Sequence, residues 1–174
     1  AFGITIPKNA HYIRNIIAAS LGHQDHIIHF YHLHALDWVS PLEALKADPA
    51  ATAALQNTVL STYRLPFRGP AGLDTEAYPH DVPVSNADYY AAIQAKVKKI
   101  VESGQLGIFS AQWWDHPDYQ MLPPEVHLMA VSHYLEMLDK QADLVVPHVV
   151  FGGKNPHPHY VLGGMPCSIS MEDG

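Results

Sequence analysis

Apolar and polar positions alternate along most of this chain with a helical rather than a strand-like period, and the interruptions fall at proline, glycine and capping residues. After a short extended entry, Ile4-Thr5-Ile6-Pro7-Lys8, Asn9 is placed as the N-cap of a long helix over about residues 10–39. Gly22 near its middle weakens it locally and leaves room for another backbone to come close. Ser40-Pro41-Leu42-Glu43 reads as a capping box, with proline at the first helical position and a short helix running to about Ala47. Asp48-Pro49 opens an alanine-rich helix to about Leu60. Residues 61–84 hold four prolines without sustained periodicity and read as a long loop of the kind that wraps a neighbour. Ser85-Asn86-Ala87-Asp88 is a second capping box, and Tyr90, Ile93, Val97, Ile100 and Val101 form the apolar stripe of the helix it starts, which ends at Gly104.

An aromatic loop with Phe109, Trp113 and Trp114 follows, and Pro123-Pro124-Glu125 opens a third long helix whose inward face is Leu128, Val131, Tyr134, Leu135 and Leu138. Pro147 is expected to end or kink it, and Phe151-Gly152-Gly153 to stop it. Residues 154–160 cannot be helical, and residues 161–169 read as one or two short strands around Gly163-Gly164. The fold class is therefore mainly α, with a few short strands near the C-terminal end. No internal repeat or low-complexity tract is present.

With 174 residues, 48% hydrophobic and 16% charged, the chain has the composition of one globular domain. The low charge content suggests that a partner covers much of the surface. Net charge is −7, and no basic cluster exceeds Lys96-Val97-Lys98-Lys99, which argues against nucleic acid as a partner. No stretch approaches the ~20 apolar residues that cross a bilayer. The chain opens on Ala1-Phe2-Gly3 and is expected to be a segment of a longer polypeptide, a single incomplete domain over residues 1–174.

Residues 21–39 stand out because His23, His26, His29, His32 and His34 crowd into twelve positions among Ile27, Ile28, Phe30, Tyr31, Leu33, Leu36 and Trp38. At about 100° per residue, His23, His26, Phe30, His34 and Asp37 share one face. Imidazoles in an apolar setting each need a partner, so such a helix lines a site or an interface. The i,i+3 pairs His23/His26 and His26/His29 could share a metal ion, but no Glu-x-x-His motif accompanies them. The lone Cys167, between Pro166 and Ser168 and near Met165 and Ile169, reads as a packed thiol. It permits no intramolecular disulfide and no Cys-x-x-Cys motif. Phosphate-loop, dinucleotide and Gly-x-Ser-x-Gly fingerprints are absent.

Gly-Ile-Thr-Ile-Pro-Lys-Asn-Ala, followed by Ile-Arg-Asn and then Asp-His-Ile-Ile-His-Phe-Tyr-His-Leu-His-Ala-Leu-Asp-Trp-Val, resembles the large subunit of membrane-bound uptake nickel-iron hydrogenases. Ser103 to Phe109, with Ile108 in place of a proline, and Phe151 to Cys167, with its Asn-Pro-His-Pro and Gly-Gly-x-Pro-Cys runs, extend the resemblance over nearly the whole chain. Departures are Gln24 for a histidine, Ser40 for an aspartate and His159 for an asparagine. The resemblance implies a multi-helix segment of that large-subunit fold. It also implies reversible heterolytic cleavage of dihydrogen, with electrons passed to a small subunit carrying iron-sulfur clusters and on to a membrane cytochrome. The setting it implies is the periplasmic side of the cytoplasmic membrane. The family holds nickel and iron through four cysteines in two Cys-x-x-Cys motifs, neither of which this chain contains, so no metal ligand is assigned and the segment alone is expected to be inactive.

By the same resemblance, Asp25 matches an aspartate beside the metal pocket that pairs with an arginine lying outside these residues. His157 matches a histidine facing the small subunit's proximal iron-sulfur cluster. A carboxylate beside an arginine stays ionised and orients it, and an imidazole near a cluster tunes its potential without ligating it. A non-catalytic, histidine-rich helical module for metal binding or partner docking is the alternative.

Overall fold

A computed structural model describes residue 3 and residues 5–63, 86–107 and 122–156. Among the described residues the chain is mainly helical and contains no strand. The strands expected over 161–169 lie outside the described residues, as do most of the two loops. Contacts divide the chain into two units, Ala1–His34 with Tyr134–Gly174, and Ala35–His133. No described helix is long and apolar enough to cross a membrane.

The first unit begins with α1, Lys8–Ile27. Pro7 is its N-cap, and the Pro7 carbonyl accepts from the amides of Ala10 and His11. The helix therefore starts earlier than Asn9 suggested, and Asn9 sits inside the first turn. Gly22 also departs from expectation, because among the described residues a Cβ built there meets nothing within 4 Å.

The single α-helix expected over 10–39 changes character partway, becoming a π-helix over Ile28–His34 and a 3₁₀ turn over Ala35–Asp37. Inward positions explain the change. Ile27/Ile28, Tyr31/His32 and Ala35/Leu36 are half-buried pairs recurring every four residues. At about 100° per residue that spacing drifts about 40° per α-turn, and i→i+5 bonding, which turns fewer degrees per residue, lessens the drift between Ile27/Ile28 and Tyr31/His32.

α5 spans Pro124–Leu144, its second half lying in this first unit. α6, Val146–Gly152, follows almost at once and packs on α1. α5 stops just short of Pro147 as expected, and Pro147 itself lies in the first turn of α6, where its missing N–H costs nothing. Ser20 Oγ donates to the Leu144 carbonyl at 3.0 Å, tying α1 to the end of α5. Gly153 closes α6 with φ 77°, a left-handed cap that glycine adopts without penalty, and its amide donates to the Val149 carbonyl at 2.9 Å.

The second unit holds α2 (Pro41–Ala44), α3 (Pro49–Tyr63), α4 (Ala87–Glu102) and the first half of α5. α3 packs on α4, burying Tyr90, Ile93 and Val97 as the apolar stripe predicts. Asn86 rather than Ser85 is the N-cap of α4, accepting from the Tyr89 amide at 2.8 Å. Gln94 Nε2 donates to the carbonyls of Ala44 and Ala47 at 3.0 and 2.7 Å, holding the end of α2 against α4. Buried Gln56 accepts from His133 Nε2 at 3.0 Å and, more distantly, from the Tyr90 hydroxyl. On α5, Leu128 and Val131 are buried and Tyr134 and Leu135 half-buried, whereas Leu138 is exposed. The periodicity marked the apolar face correctly but carried no information on how far along α5 that face is covered.

Candidate functional site

α1 and the π-helix carry the histidine-rich stretch in an arrangement unlike a row of buried, partnered imidazoles. His23, His26, His29 and His34 are exposed and only His32 is half-buried. His32 is anchored within its unit. Its Nε2–H donates to the Tyr134 carbonyl at 3.4 Å, its Nδ1 accepts from the Gln141 amide at 3.3 Å, and its ring meets Tyr134 edge-on with centroids 4.9 Å apart. The i→i+5 register stacks residues five apart, which brings the His29 and His34 rings to a 6.5 Å centroid separation at 16°. Tyr31 beside them is half-buried, and burial, then the neighbouring Glu136 carboxylate, pushes its hydroxyl pKa up.

Asp25 is exposed on α1, one residue from His26. Among the described residues its carboxylate takes no hydrogen bond or ion pair. No group of three or more metal-ligating side chains converges among the described residues. His157 and Cys167 lie outside them. With one cysteine, the donor set of these 174 residues does not fit a centre held by four thiolates.

Two buried histidines escaped the reading of the sequence. His127, 2% exposed, opens α5 beside Leu128, and its Nδ1 accepts from the Ser40 amide at 3.1 Å. Only half of the expected capping box is therefore built. Ser40 Oγ accepts from the Glu43 amide at 3.3 Å, while the Ser40 N–H goes to His127 and Glu43 pairs with Lys46. Burial pushes the His127 pKa down, opposed by the Glu43 charge and the Leu122 carbonyl, with Lys46 adding to the fall. His148, 1% exposed on α6, donates from Nδ1 to Asn155 Oδ1 at 2.9 Å. Among the described residues, Nε2 of both histidines is buried without a hydrogen bond of ordinary geometry. The available signal was position, since both lie among apolar residues of helices that have to pack.

The chain belongs to the nickel-dependent hydrogenase family, whose family model matches residues 1–174. Within it, the chain is similar to large subunits of uptake hydrogenases. It is 51% identical over 174 residues to the uptake hydrogenase large subunit of Alcaligenes hydrogenophilus, covering 100% of this chain and 25% of that protein. It is 49% identical over 172 residues to the uptake hydrogenase large subunit of Rhodobacter capsulatus, covering 99% of this chain and 26% of that one. It is 45% identical over 173 residues to the hydrogenase-1 large chain of Escherichia coli strain K12, again covering 99% and 26%. The chain thus spans about a quarter of the length of the curated relatives it matches.

Proposed function

We propose that these residues form part of the large subunit of an uptake nickel-iron hydrogenase, an oxidoreductase that reversibly splits dihydrogen into protons and electrons. A small iron-sulfur subunit takes the electrons and passes them to a membrane cytochrome, with the complex on the periplasmic side of the cytoplasmic membrane. The observation that carries this reading is the match of the whole chain, at about half identity, to uptake hydrogenase large subunits. The metal-holding thiolates belong to other parts of such a subunit, so the role of these residues is to shape its surroundings and to meet the partner.

Asp25 is the residue proposed to act near the reaction. Its carboxylate projects from a helix anchored through Ser20 and His32, and it is open to pair with an arginine from elsewhere in the subunit. That pairing keeps the acid ionised and fixes the guanidinium. His157 is proposed to face the small subunit's proximal cluster. A self-contained metal module has no comparable support, since no described donors converge.

The test is Asp25→Asn in the full-length enzyme with its small subunit. Hydrogen turnover is expected to fall at least about tenfold, about 1.4 kcal/mol of barrier, at unchanged metal content. Full turnover in that variant would remove Asp25 from the mechanism. The coding sequence on either side provides a further check, because Arg-x-Cys-Gly-x-Cys upstream and Asp-Pro-Cys-x-x-Cys downstream are expected.

A further inference from the structure

α6 packs on α1, and the two residues it buries are His148 and Gly152, four apart and so on one side of the helix. The one sizeable side chain buried from α6 is thus an imidazole, 1% exposed, where a leucine or phenylalanine is the usual occupant. Among the described residues its Nε2 has no hydrogen bond of ordinary geometry, and a buried polar atom left so is unfavourable. What an imidazole does there that an aliphatic or phenyl group cannot is donate. Its Nδ1–H reaches Asn155 Oδ1 at 2.9 Å, across seven residues and past the left-handed Gly153 that ends α6. Asn155 is exposed, and residues 153–156 belong to no helix or strand. The bond therefore fastens a surface stretch to the interior of its unit, at the point where helical hydrogen bonds no longer hold it.

We infer that His148 is a positioning residue for the electron outlet, fixing through Asn155 the stretch that leads to His157. The inference rests on the proposed placement of His157 before the small subunit's proximal cluster. His157 lies outside the described residues, but the chain itself limits it: two residues on from Asn155, its Cα lies within about 7 Å of that of Asn155. Pro156 between them has a fixed φ and restricts Asn155 as well, and Pro158 restricts His157, so few backbone torsions separate the clamped residue from the imidazole. An imidazole acts on a cluster's potential through its distance and orientation, and both loosen when the anchor is lost. His148 acts through Asn155 and His157 rather than on the cluster itself. Because α6 packs on α1, one pair of helices carries both Asp25 and the anchor of the outlet loop.

Variants of the full-length heterodimer test it, read by the proximal cluster's potential in a redox titration and by hydrogen exchange of peptides covering residues 154–160. His148→Phe keeps most of the volume and removes the donor. His148→Asn gives up volume and keeps an N–H two bonds from Cβ, where Nδ1 stands. Asn155→Ala removes the acceptor from the exposed side and leaves the buried side chain untouched. His157→Ala supplies the reference shift. His148→Phe and Asn155→Ala are expected to move the potential in the direction of His157→Ala and to quicken exchange over residues 154–160 by about tenfold, the scale of one lost hydrogen bond. His148→Asn should stay near the native enzyme in both. An imidazole that only filled space would give the reverse order, with His148→Asn impaired and His148→Phe native. That order, or native potential and exchange in Asn155→Ala, overturns the inference. An unmoved potential in His157→Ala instead removes the placement of His157, and exchange then decides alone: quickening in both His148→Phe and Asn155→Ala upholds the anchor, and native exchange in either overturns it.

Discussion

Replacing His127 by phenylalanine removes one hydrogen bond from the interior of the second unit while nearly conserving volume. In the native protein the Ser40 amide is buried and donates to His127 Nδ1 at 3.1 Å, and Ser40 Oγ is already engaged by the Glu43 amide. Phenylalanine leaves that N–H without an acceptor, at a cost of about 1–3 kcal/mol for a buried orphaned donor. The ring fills most of the imidazole's space, so the cavity contribution that an alanine would add stays small. Since 1.4 kcal/mol is about a factor of ten, hydrogen exchange at the Ser40 amide is expected to quicken by about ten- to a hundredfold. Amides in the middle of α4 should change much less. The pH dependence has a definite sign. Burial lowers the His127 pKa from its ordinary 6.5, so the unfolded state binds the extra proton first and stability falls as pH drops below 6.5 toward the lowered value. The imidazolium, moreover, has no lone pair to offer Ser40. Ser40 protection should therefore be flat above pH 6.5 and decline below it in the native protein, and the decline should vanish in His127→Phe. Unchanged exchange in the variant at pH 7.5 would refute the bond as a determinant of this corner.

Gln94→Leu removes both bonds from α4 to the Ala44 and Ala47 carbonyls, and it is expected to destabilise the end of α2 by about 1–3 kcal/mol, read as faster exchange from Leu45 to Asp48. Tyr90→Phe removes the 3.5 Å contact to Gln56, which is long for an O–H donor, and should cost about 1 kcal/mol or less in chemical denaturation; a larger loss would show that the hydroxyl is held more tightly than this distance implies. In the assembled enzyme, His157→Ala should shift the proximal cluster's potential in a redox titration followed by electron paramagnetic resonance and leave the nickel signals nearly unchanged. The opposite pattern would move this loop away from the small subunit.

What could be read from the sequence divides along a physical line. Apolar periodicity found the helices and the Tyr90, Ile93 and Val97 face, because burial of a stripe is what helical spacing encodes. Local chemistry found Ser40 as a cap but misassigned its amide, since the competing acceptor, His127, lies far away in sequence. The π-helix was hidden because a four-residue recurrence of inward pairs resembles an α pattern over so short a stretch. Histidine density singled out residues 21–39 without revealing how exposed their imidazoles are. The imidazoles were expected in an apolar interior, and four of the five stand exposed, because local spacing does not say which face of a helix is covered. Asp25 was singled out only through family likeness, as nothing in its spacing separates it from an ordinary surface acid.

The π-helix makes this stretch tolerant of two kinds of change. Substituting an exposed residue between Ile28 and His34 leaves the hydrogen-bond ladder in place. Deleting one residue there on the N-terminal side of His32 lets ordinary i→i+4 bonding run straight through. Such a deletion spares angle, because the wider i→i+5 turn fits one more residue into about the same rotation. With His32 and Tyr134 still clasped, everything on the N-terminal side keeps its facing to within roughly 20°, like a screw shortened without being turned. Ile17 would stay in the interior, Ser20 would keep the Leu144 carbonyl within reach, and Asp25 would keep its direction.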